Sequence, residues 1–195
     1  MRNADRPTSR DRILDVATDI FYRDGIGAVG VDRIVAEAGV TKPTLYAQFG
    51  SKANLVAEVL DRRSRKRQEA LSLFLADNQG EPVERLLAVF DWLGEGHGRP
   101  EFRGCPFTNA AVELPDPLHV ARLVISDYKA WLRSTLSDLA EAAGLKDPQQ
   151  WGANLQLLID GANARVVVDD DRSAMKRASG LAATLIACEL HVPKG

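Results

Sequence analysis

The feature that most constrains the fold is a helical repeat of apolar residues that runs through almost the whole chain. Apolar residues recur three and four positions apart, which places them on one face of a helix. The first such stripe comprises Ile13, Leu14, Ala17, Ile20 and Phe21. We find no convincing alternation of apolar and polar residues that would indicate a strand. The sequence therefore predicts an all-α protein of about nine helices.

Helix start and stop signals divide these periodic segments into two groups. Three short helices precede Ser51, and Thr41 and Gly50 bound the third of them as N-cap and terminator. Six mostly longer helices follow, and we expect one of them to start at the N-cap Asp116 and to end at Gly144. The grouping predicts an N-terminal domain over residues 1–50 and a helical C-terminal domain over residues 51–195.

Composition limits the class of protein. With 45% hydrophobic and 27% charged residues, the chain suits a globular fold, and no apolar run approaches the roughly 18 residues that span a bilayer. The N-terminus is polar and lacks the apolar core of a secretion signal. The two cysteines form no metal-binding spacing and favour a reducing compartment. We expect a cytoplasmic protein that has no metal, no cofactor and no membrane contact.

Charge is distributed unevenly along the chain. The net charge is −2, but residues 1–70 carry an excess of Lys and Arg, and residues 71–195 carry an excess of Asp and Glu. Only the N-terminal part, residues 1–70, is therefore expected to face an anionic partner. Arg6, Arg10 and Arg12 indicate either an arm that enters a minor groove or a solvated tail. For the basic cluster Arg62–Arg67 we prefer a solvated face or an inter-subunit contact.

The second and third helices have the pattern of a helix-turn-helix unit. Gly39 separates them by a turn of a few residues, and Ile34 and Leu45 are expected in a small core against the first helix. Four polar side chains then face outward, namely Lys42, Thr44, Tyr46 and Gln48. Thr, Lys and Gln side chains read base edges, and tyrosine hydroxyls bind phosphate. A three-helix subdomain with a polar solvent face stays open as the alternative.

The segment GVDRIVAEAGVTKPTLYAQFGSKANLV resembles the DNA-binding segment of TetR-family transcriptional regulators. The family pattern runs Ile-Ala-x-x-Ala-Gly-Val-Ser/Thr-x-x-x-Leu-Tyr-x-x-Phe-x-x-Lys. It is matched here, with Val35 in place of the usual alanine, by Ile34, Val35, Ala38, Gly39, Val40, Thr41, Leu45, Tyr46, Phe49 and Lys52. The resemblance covers roughly residues 8–60, and the layout of the helices also fits the family.

The resemblance implies a set of residues that contact DNA. Two positions depart from the family, because Gly30 replaces the usual Thr or Ser that caps the second helix, and Pro43 replaces a common glycine. Lys52 is expected on the DNA backbone. The complete predicted set is Thr41, Lys42, Pro43, Thr44, Tyr46, Gln48, Lys52, Arg10 and Gly30.

In TetR-like proteins the remaining helices bind a small molecule and form the dimer. Aromatic residues concentrate between residues 90 and 151, which favours an apolar or aromatic effector, although plain core packing is the alternative for each of them. Glu113 and His119 are further polar candidates. The predicted ligand-binding residues are Phe90, Phe102, Phe107, Asn109, Tyr128, Trp131, Trp151 and Asn154.

The last two helices carry small and aliphatic residues that suit a dimer interface of four helices. The predicted interface residues are Leu155, Leu158, Ile159, Ala162, Ala178, Leu181, Ala182, Leu185 and Ile186. Two subunits allow two half-sites of a palindrome to be read.

We therefore expect a homodimeric repressor that binds a palindromic double-stranded DNA operator and is released by a small-molecule effector. An alternative is a repressor that senses oxidants or electrophiles through Cys105, which lies near a helix N-terminus. An enzyme is not expected, because no phosphate-binding glycine loop, HExxH motif or paired-carboxylate motif occurs. A non-specific architectural DNA binder is disfavoured by the excess of Asp and Glu in residues 71–195.

Overall fold

The computed structural model describes residues 7–191, and within this range it contains nine α-helices and no strand. The prediction of an all-α fold is confirmed. Arg6 lies outside the described residues. The helices are α1 Ser9–Asp24, α2 Val31–Ala38, α3 Lys42–Phe49, α4 Lys52–Asp77, α5 Pro82–Gly94, α6 Pro106–Glu113, α7 Ala121–Ala142, α8 Pro148–Asp169 and α9 Ala174–His191.

Capping side chains account for several helix starts. Thr8 and Asp11 form a capping box at α1, in which the Thr8 hydroxyl accepts from the Asp11 backbone N–H at 3.1 Å. Hydrogen bonds from Thr8 hold the pKa of the Asp11 carboxyl below its usual range. Thr41 caps α3 as expected. The expectation for Asp116 is wrong, because its carboxylate accepts from Leu118 N at 2.9 Å within a turn and α7 begins only at Ala121.

The chain forms two compact units that do not follow the chain order. Unit 1 contains the residues up to Lys66 together with Pro106–Ser126, and unit 2 contains Arg67–Cys105 together with the residues from Asp127 onward. Helix α4 contributes residues to both units, and α6 belongs with the three N-terminal helices. The division predicted after residue 50 is a functional one and stays a prediction.

The core of unit 1 is built from α1 to α4. Helix α1 packs against both α2 and α3, and these two helices pack against each other. Ile13, Ile34 and Leu45 are completely buried, as the apolar spacing predicts. Each such side chain is expected to stabilise the fold by about 1.5–3 kcal/mol through removal of apolar surface from water.

The core of unit 2 lies between α5, α7, α8 and α9. Helix α9 packs against α5 and α8, and Phe90, Leu136 and Ile159 are buried among them. Gly152 allows close packing of α8, since a Cβ atom there would lie 2.6 Å from the Arg133 carbonyl oxygen. Over residues 7–191, no helix is both long and apolar enough to cross a lipid bilayer.

The loop between α5 and α6 holds a buried histidine. His97 is 1% exposed, its ring lies 4.6 Å from the Phe102 ring, and its Nε2 lies 3.0 Å from Asn163 Oδ1. Its Nδ1 has no partner among the described residues. Burial lowers the pKa of His97 against the opposing hydrogen bond to Asn163, and the nearby Arg172 guanidinium lowers it further. The ring is therefore neutral in the folded protein near neutral pH.

His97 is expected to make the fold sensitive to acid. The pKa of His97 is lower in the folded protein than in the unfolded chain. The free energy of unfolding is therefore highest above about pH 6.5 and decreases as the pH falls toward the pKa of the folded state. Urea unfolding between about pH 8 and pH 5 should show a fall in the free energy of unfolding that is smaller in His97→Gln. A parallel pH profile for the two proteins would contradict this account, whatever their stability difference at high pH.

Candidate nucleic-acid interface

The turn between α2 and α3 depends on one glycine. Gly39 adopts the left-handed conformation with φ 62° and ψ 43°, which residues with a Cβ atom rarely adopt. The Val40 N–H then donates to the Val35 carbonyl at 3.0 Å, which closes the end of α2. Three residues, Gly39 to Thr41, connect α2 to α3, and Thr41 stands directly before the first residue of α3. The helix-turn-helix prediction is thereby given a specific geometry.

Helix α3 has one buried and one exposed face. Leu45 and Phe49, one turn apart, are 0% and 4% exposed and anchor the helix to the core of unit 1. Tyr46 is 46% exposed, although tyrosine has a large apolar ring. The other exposed positions at this helix are Thr41, Lys42, Pro43, Ala47 and Gln48, and Thr44 is half-buried. Ala47 was not included in the predicted DNA-binding set, because its small apolar side chain carries no polar signal.

Two hydroxyl groups meet at the N-terminus of α3. The Thr41 Oγ1 accepts from the Thr44 backbone N–H at 3.3 Å and lies 2.9 Å from the Thr44 Oγ1. The capping bond satisfies one of the free N–H groups of the first turn. The remaining N–H groups of this turn and the two hydroxyls form a compact set of hydrogen-bonding groups, which suits phosphate oxygens or base edges.

Lys42 is paired with an acidic residue of α2. Its Nζ lies 2.5 Å from Asp32 Oδ1, and both side chains are largely exposed. The hydrogen bond from Lys42 to Asp32 holds the pKa of Lys42 above its usual range. An exposed pair of this kind contributes little stability, so the ammonium group can exchange Asp32 for an anionic partner at low cost.

Two predicted DNA-binding cations hold helices together in this structure. Arg10 forms an ion pair with Glu58 of α4, and its guanidinium lies 4.8 Å from the centre of the Phe49 ring. Lys52 Nζ donates to the Ile26 carbonyl at 2.6 Å, and burial lowers its pKa. Both side chains therefore have protein partners, and their contacts with DNA stay predictions.

Helix α6 contacts the loop that precedes α2. The Glu113 carboxylate accepts from the Gly27 N–H at 2.8 Å, across 86 residues of sequence. The Lys52 bond to Ile26 holds the neighbouring residue of the same loop. Glu113 was predicted as a ligand contact, but the structure places it against the helix-turn-helix unit, which no local sequence signal could show.

Gly30 occupies the N-cap of α2 without a side-chain cap. Its φ of −81° and ψ of 159° suit any residue, and a Cβ atom there would meet no heavy atom of residues 7–191 within 4 Å beyond its chain neighbours. We expect Gly30→Ser to raise the free energy of unfolding by about 0.5–1 kcal/mol through a new capping bond and a less flexible unfolded chain. Urea unfolding measures this change.

A matched control separates the two contributions to that gain. Gly98 lies exposed in the loop after α5, and in the described part of the chain its Cβ position likewise has no heavy atom within 4 Å beyond its chain neighbours. Gly98→Ser reduces the flexibility of the unfolded chain without capping a helix. If Gly30→Ser gains no more stability than Gly98→Ser, the capping contribution is absent.

The basic cluster on α4 is largely bound within the protein. Arg62 lies 2.8 Å from Asp15 of α1 and 2.9 Å from the Thr18 hydroxyl, and Arg65 pairs with Asp61. The Arg63 guanidinium lies 4.6 Å from the centre of the Tyr22 ring. Arg62 is therefore a link between helices and not part of a solvated face.

The predicted ligand-binding residues divide between the two units. Phe107 and Asn109 belong to unit 1, where Phe107 is buried and Asn109 lines a cleft between α1, α4 and α6 of ≈ 40 Å³. Such a volume is enough for a few water molecules. The members in unit 2 are Phe90, Phe102, Tyr128, Trp131, Trp151 and Asn154.

Within unit 2 these residues have different surroundings. Phe90 is completely buried in the core, and the Trp151 indole donates to Glu189 of α9 at 2.9 Å. Asn154 is exposed and accepts from Gln150 at 2.9 Å. Phe102 and Trp131 are half-buried against the core. Ligand binding by this set stays a prediction.

Helices α8 and α9 expose an apolar face, and most of the predicted interface residues do not lie on it. Leu155, Ile159, Ala162, Ala178, Ala182 and Ile186 are buried in the core of their own chain. The exposed stripe of α8 contains Leu157, which is 74% exposed, with Gly161, Ala164 and Val168. On α9 the exposed stripe contains Leu181, Leu185 and Cys188. Among the predicted interface residues, Leu181 and Leu185 lie on these stripes and Leu158 is half-buried, and the dimer interface itself stays a prediction.

The alternative of thiol sensing receives no support from the structure. Cys105 is a free, half-buried thiol in the residue before α6, and Cys188 is a free, exposed thiol on α9. No disulfide joins them.

Comparison with known proteins gives matches in both halves of the chain. A model of bacterial regulatory proteins of the tetR family matches residues 13–59, and a model of tetracyclin repressor-like C-terminal domains matches residues 82–181. The crystal structure of SCO4454, a TetR-family transcriptional regulator from Streptomyces coelicolor, has a TM-score of 0.86 and 32% identity. That match covers 93% of this chain and 95% of the other.

Two curated relatives each match about a third of the chain. The transcriptional repressor SCO4008 of Streptomyces coelicolor is 38% identical over 63 residues, which are 32% of this chain and 33% of that protein. The transcriptional activator FasR of Mycolicibacterium smegmatis is 42% identical over 57 residues, which are 29% and 26% of the two chains. The chain spans less than two thirds of the length of the curated relatives that it matches.

Proposed function

The chain belongs to the TetR family of bacterial transcriptional regulators, and we propose that it is a homodimeric repressor that binds a palindromic operator and is released by a small-molecule effector. The observation that carries the proposal is the exposed polar face of α3. Leu45 and Phe49 bury one side of this helix, which leaves Lys42, Tyr46 and Gln48 in solvent. A short helix with this arrangement enters the major groove with its first turns.

The exposed stripes of α8 and α9 support the dimer. Leu157 and Leu185 are 74% and 45% exposed, which is costly for a pair of neighbouring helices unless a partner covers them. Gly161 and Ala164 are small enough to let two helices approach closely. Two α8–α9 pairs related by a two-fold axis would form a four-helix interface, and the same symmetry is needed to read two half-sites.

Release by an effector requires two states of the dimer that differ in operator affinity. An effector that binds the weak-affinity state more tightly shifts the population by that difference in affinity and by no more. Both a repressor and an activator occur among the relatives, and both are named as helix-turn-helix-type regulators. We propose repression because a dimer placed on an operator blocks access to it without any further contact.

Selection of bound duplexes from a random pool tests the proposal, and it is repeated with candidate effectors present. We expect a short palindrome whose half-sites lie about one or two helical turns apart. Affinity should fall steeply with salt, because phosphate contacts release counterions. Equal retention of all duplexes would exclude a sequence-specific regulator and would leave a non-specific binder.

A further inference from the structure

An arginine of α4 lies among aromatic side chains in unit 2. The guanidinium of Arg67 lies 5.2 Å from the centre of the Trp92 ring, and its Nε donates to the Tyr128 hydroxyl at 3.0 Å. Each of these rings has an aromatic neighbour, since Trp92 lies 6.5 Å from Phe74 and Tyr128 lies 5.7 Å from Trp131. We call these five residues the Arg67 cluster. Three helices, α4, α5 and α7, contribute to it.

Within the described residues 7–191, the charge of Arg67 has no counter-charge. Among residues 7–191 no carboxylate lies within 4.0 Å of its guanidinium, and its two Nη groups have no hydrogen-bond acceptor in the part of the chain that the structure describes. Arg62 and Arg65 of the same helix are paired with Asp15 and Asp61. Arg67 is also only partly exposed. A partly buried cation that has no carboxylate partner carries a desolvation cost that an anion would offset.

The surroundings of Arg67 define which anion fits. A guanidinium presents two parallel N–H donors that match a carboxylate, and it is weakly hydrated compared with an ammonium group. Trp92 and Trp131 pack against the core and are only half-buried, so part of each indole surface is left for a flat apolar body. The Arg67 Nε donates to the hydroxyl of the buried Tyr128, so the two Nη groups of the guanidinium remain as donors for the ligand. Free phosphate does not suit the site, because it has no apolar part to cover these rings.

We propose that the Arg67 cluster binds the carboxylate of an aromatic acid, and that an aromatic carboxylate is the effector class of this regulator. The second clause rests on the proposed function. Arg67 would form the ion pair, Trp92 and Trp131 would contact the ring, and Tyr128 would keep the guanidinium oriented. Arg67 was predicted to lie on a solvated face or at a subunit contact, and only its neighbours in the fold indicate this role.

Calorimetric titration of the full chain tests binding with three acids and their uncharged counterparts. The probes are benzoate, phenylacetate and 3-phenylpropionate, each beside its primary amide. We expect at least one acid to bind about tenfold or more tightly than its amide, because the ion pair is absent in the amide. Arg67→Met should bring the acid to the level of the amide, and Arg67→Lys should give an intermediate affinity because the fork is lost.

Arg65→Met is the matched control. Arg65 lies on the same helix, is exposed and pairs with Asp61, so its loss should leave acid binding unchanged. The proposal is wrong if no acid binds at millimolar concentration, if the amides bind as well as the acids, or if Arg67→Met binds the acid like the parent chain. Circular dichroism establishes that each variant is folded.

Operator release separates this inference from the proposed function. The acid that binds should lower affinity for the selected operator in the parent chain and in Arg65→Met, and this response should be lost in Arg67→Met. Binding of the acid without any effect on the operator would overturn its role as effector. If the selection yields no operator, the proposed function fails, whereas calorimetry still decides whether the carboxylate site exists.

Discussion

Replacement of Lys42 and Tyr46 together by alanine is expected to weaken operator binding by about a hundredfold or more. Both side chains lie on the exposed face of α3, and the change occurs twice in a dimer. A hydrogen bond from a charged group contributes about 1.5–3 kcal/mol, so loss of two ammonium groups alone accounts for that factor. Stability should change little, since the pair between Lys42 and Asp32 is exposed.

Fluorescence anisotropy with the selected operator measures this loss, and its salt dependence identifies the contact. Lys42→Ala alone should lower the slope of log affinity against log salt by about two for a dimer, because each lysine neutralises one phosphate. Lys176→Ala is the control for charge, because Lys176 is an exposed lysine of α9. An unchanged slope in Lys42→Ala would place this lysine away from phosphate.

Replacement of Leu157 and Leu185 together by glutamate is expected to convert a dimer into a folded monomer. The two side chains lie on the exposed stripes of α8 and α9, so the substitutions leave the core of the chain intact. Dimerisation would then bury four carboxylates in apolar surroundings, at a cost of several kcal/mol. Operator affinity should fall by about a hundredfold or more, because a monomer reads only one half-site.

Sedimentation and light scattering measure the oligomeric state, and circular dichroism measures folding. Leu73→Glu is the control, since Leu73 of α4 is 62% exposed and lies on neither stripe. The control should remain dimeric. If the double variant stays dimeric, the interface does not lie on these stripes. If the parent chain is monomeric, the proposal of a symmetric dimer is wrong.

The helix-turn-helix unit was predictable because its signals are local. Thr41 caps α3, Gly39 provides the positive φ of the turn, and the spacing of Leu45 and Phe49 defines the buried face. Each signal depends on residues within one or two turns of helix, where backbone geometry links sequence to structure directly. The outward position of Tyr46 follows from the same periodicity.

The apolar face that remains exposed on α8 could not be predicted in the same way. Leu155 and Ile159 form one apolar stripe, and Leu157 and Val168 form another on the same helix. A helix that is apolar on two faces fits two partners, and periodicity does not tell which face meets its own chain. The packing of α9 against α8 decides this, because it covers the first stripe and leaves the second in solvent.

Local signals in the sequence predict the helices found over residues 7–191, the turn at Gly39 and the polar face of α3, because these depend on neighbours a few residues away. The partners of the charged residues depend instead on how the helices pack. Glu113 meets the N–H of Gly27 across 86 residues, and Arg67 meets aromatic rings of α5 and α7 instead of a carboxylate. Such contacts join residues far apart in the chain, and their distances are fixed by packing and not by local spacing.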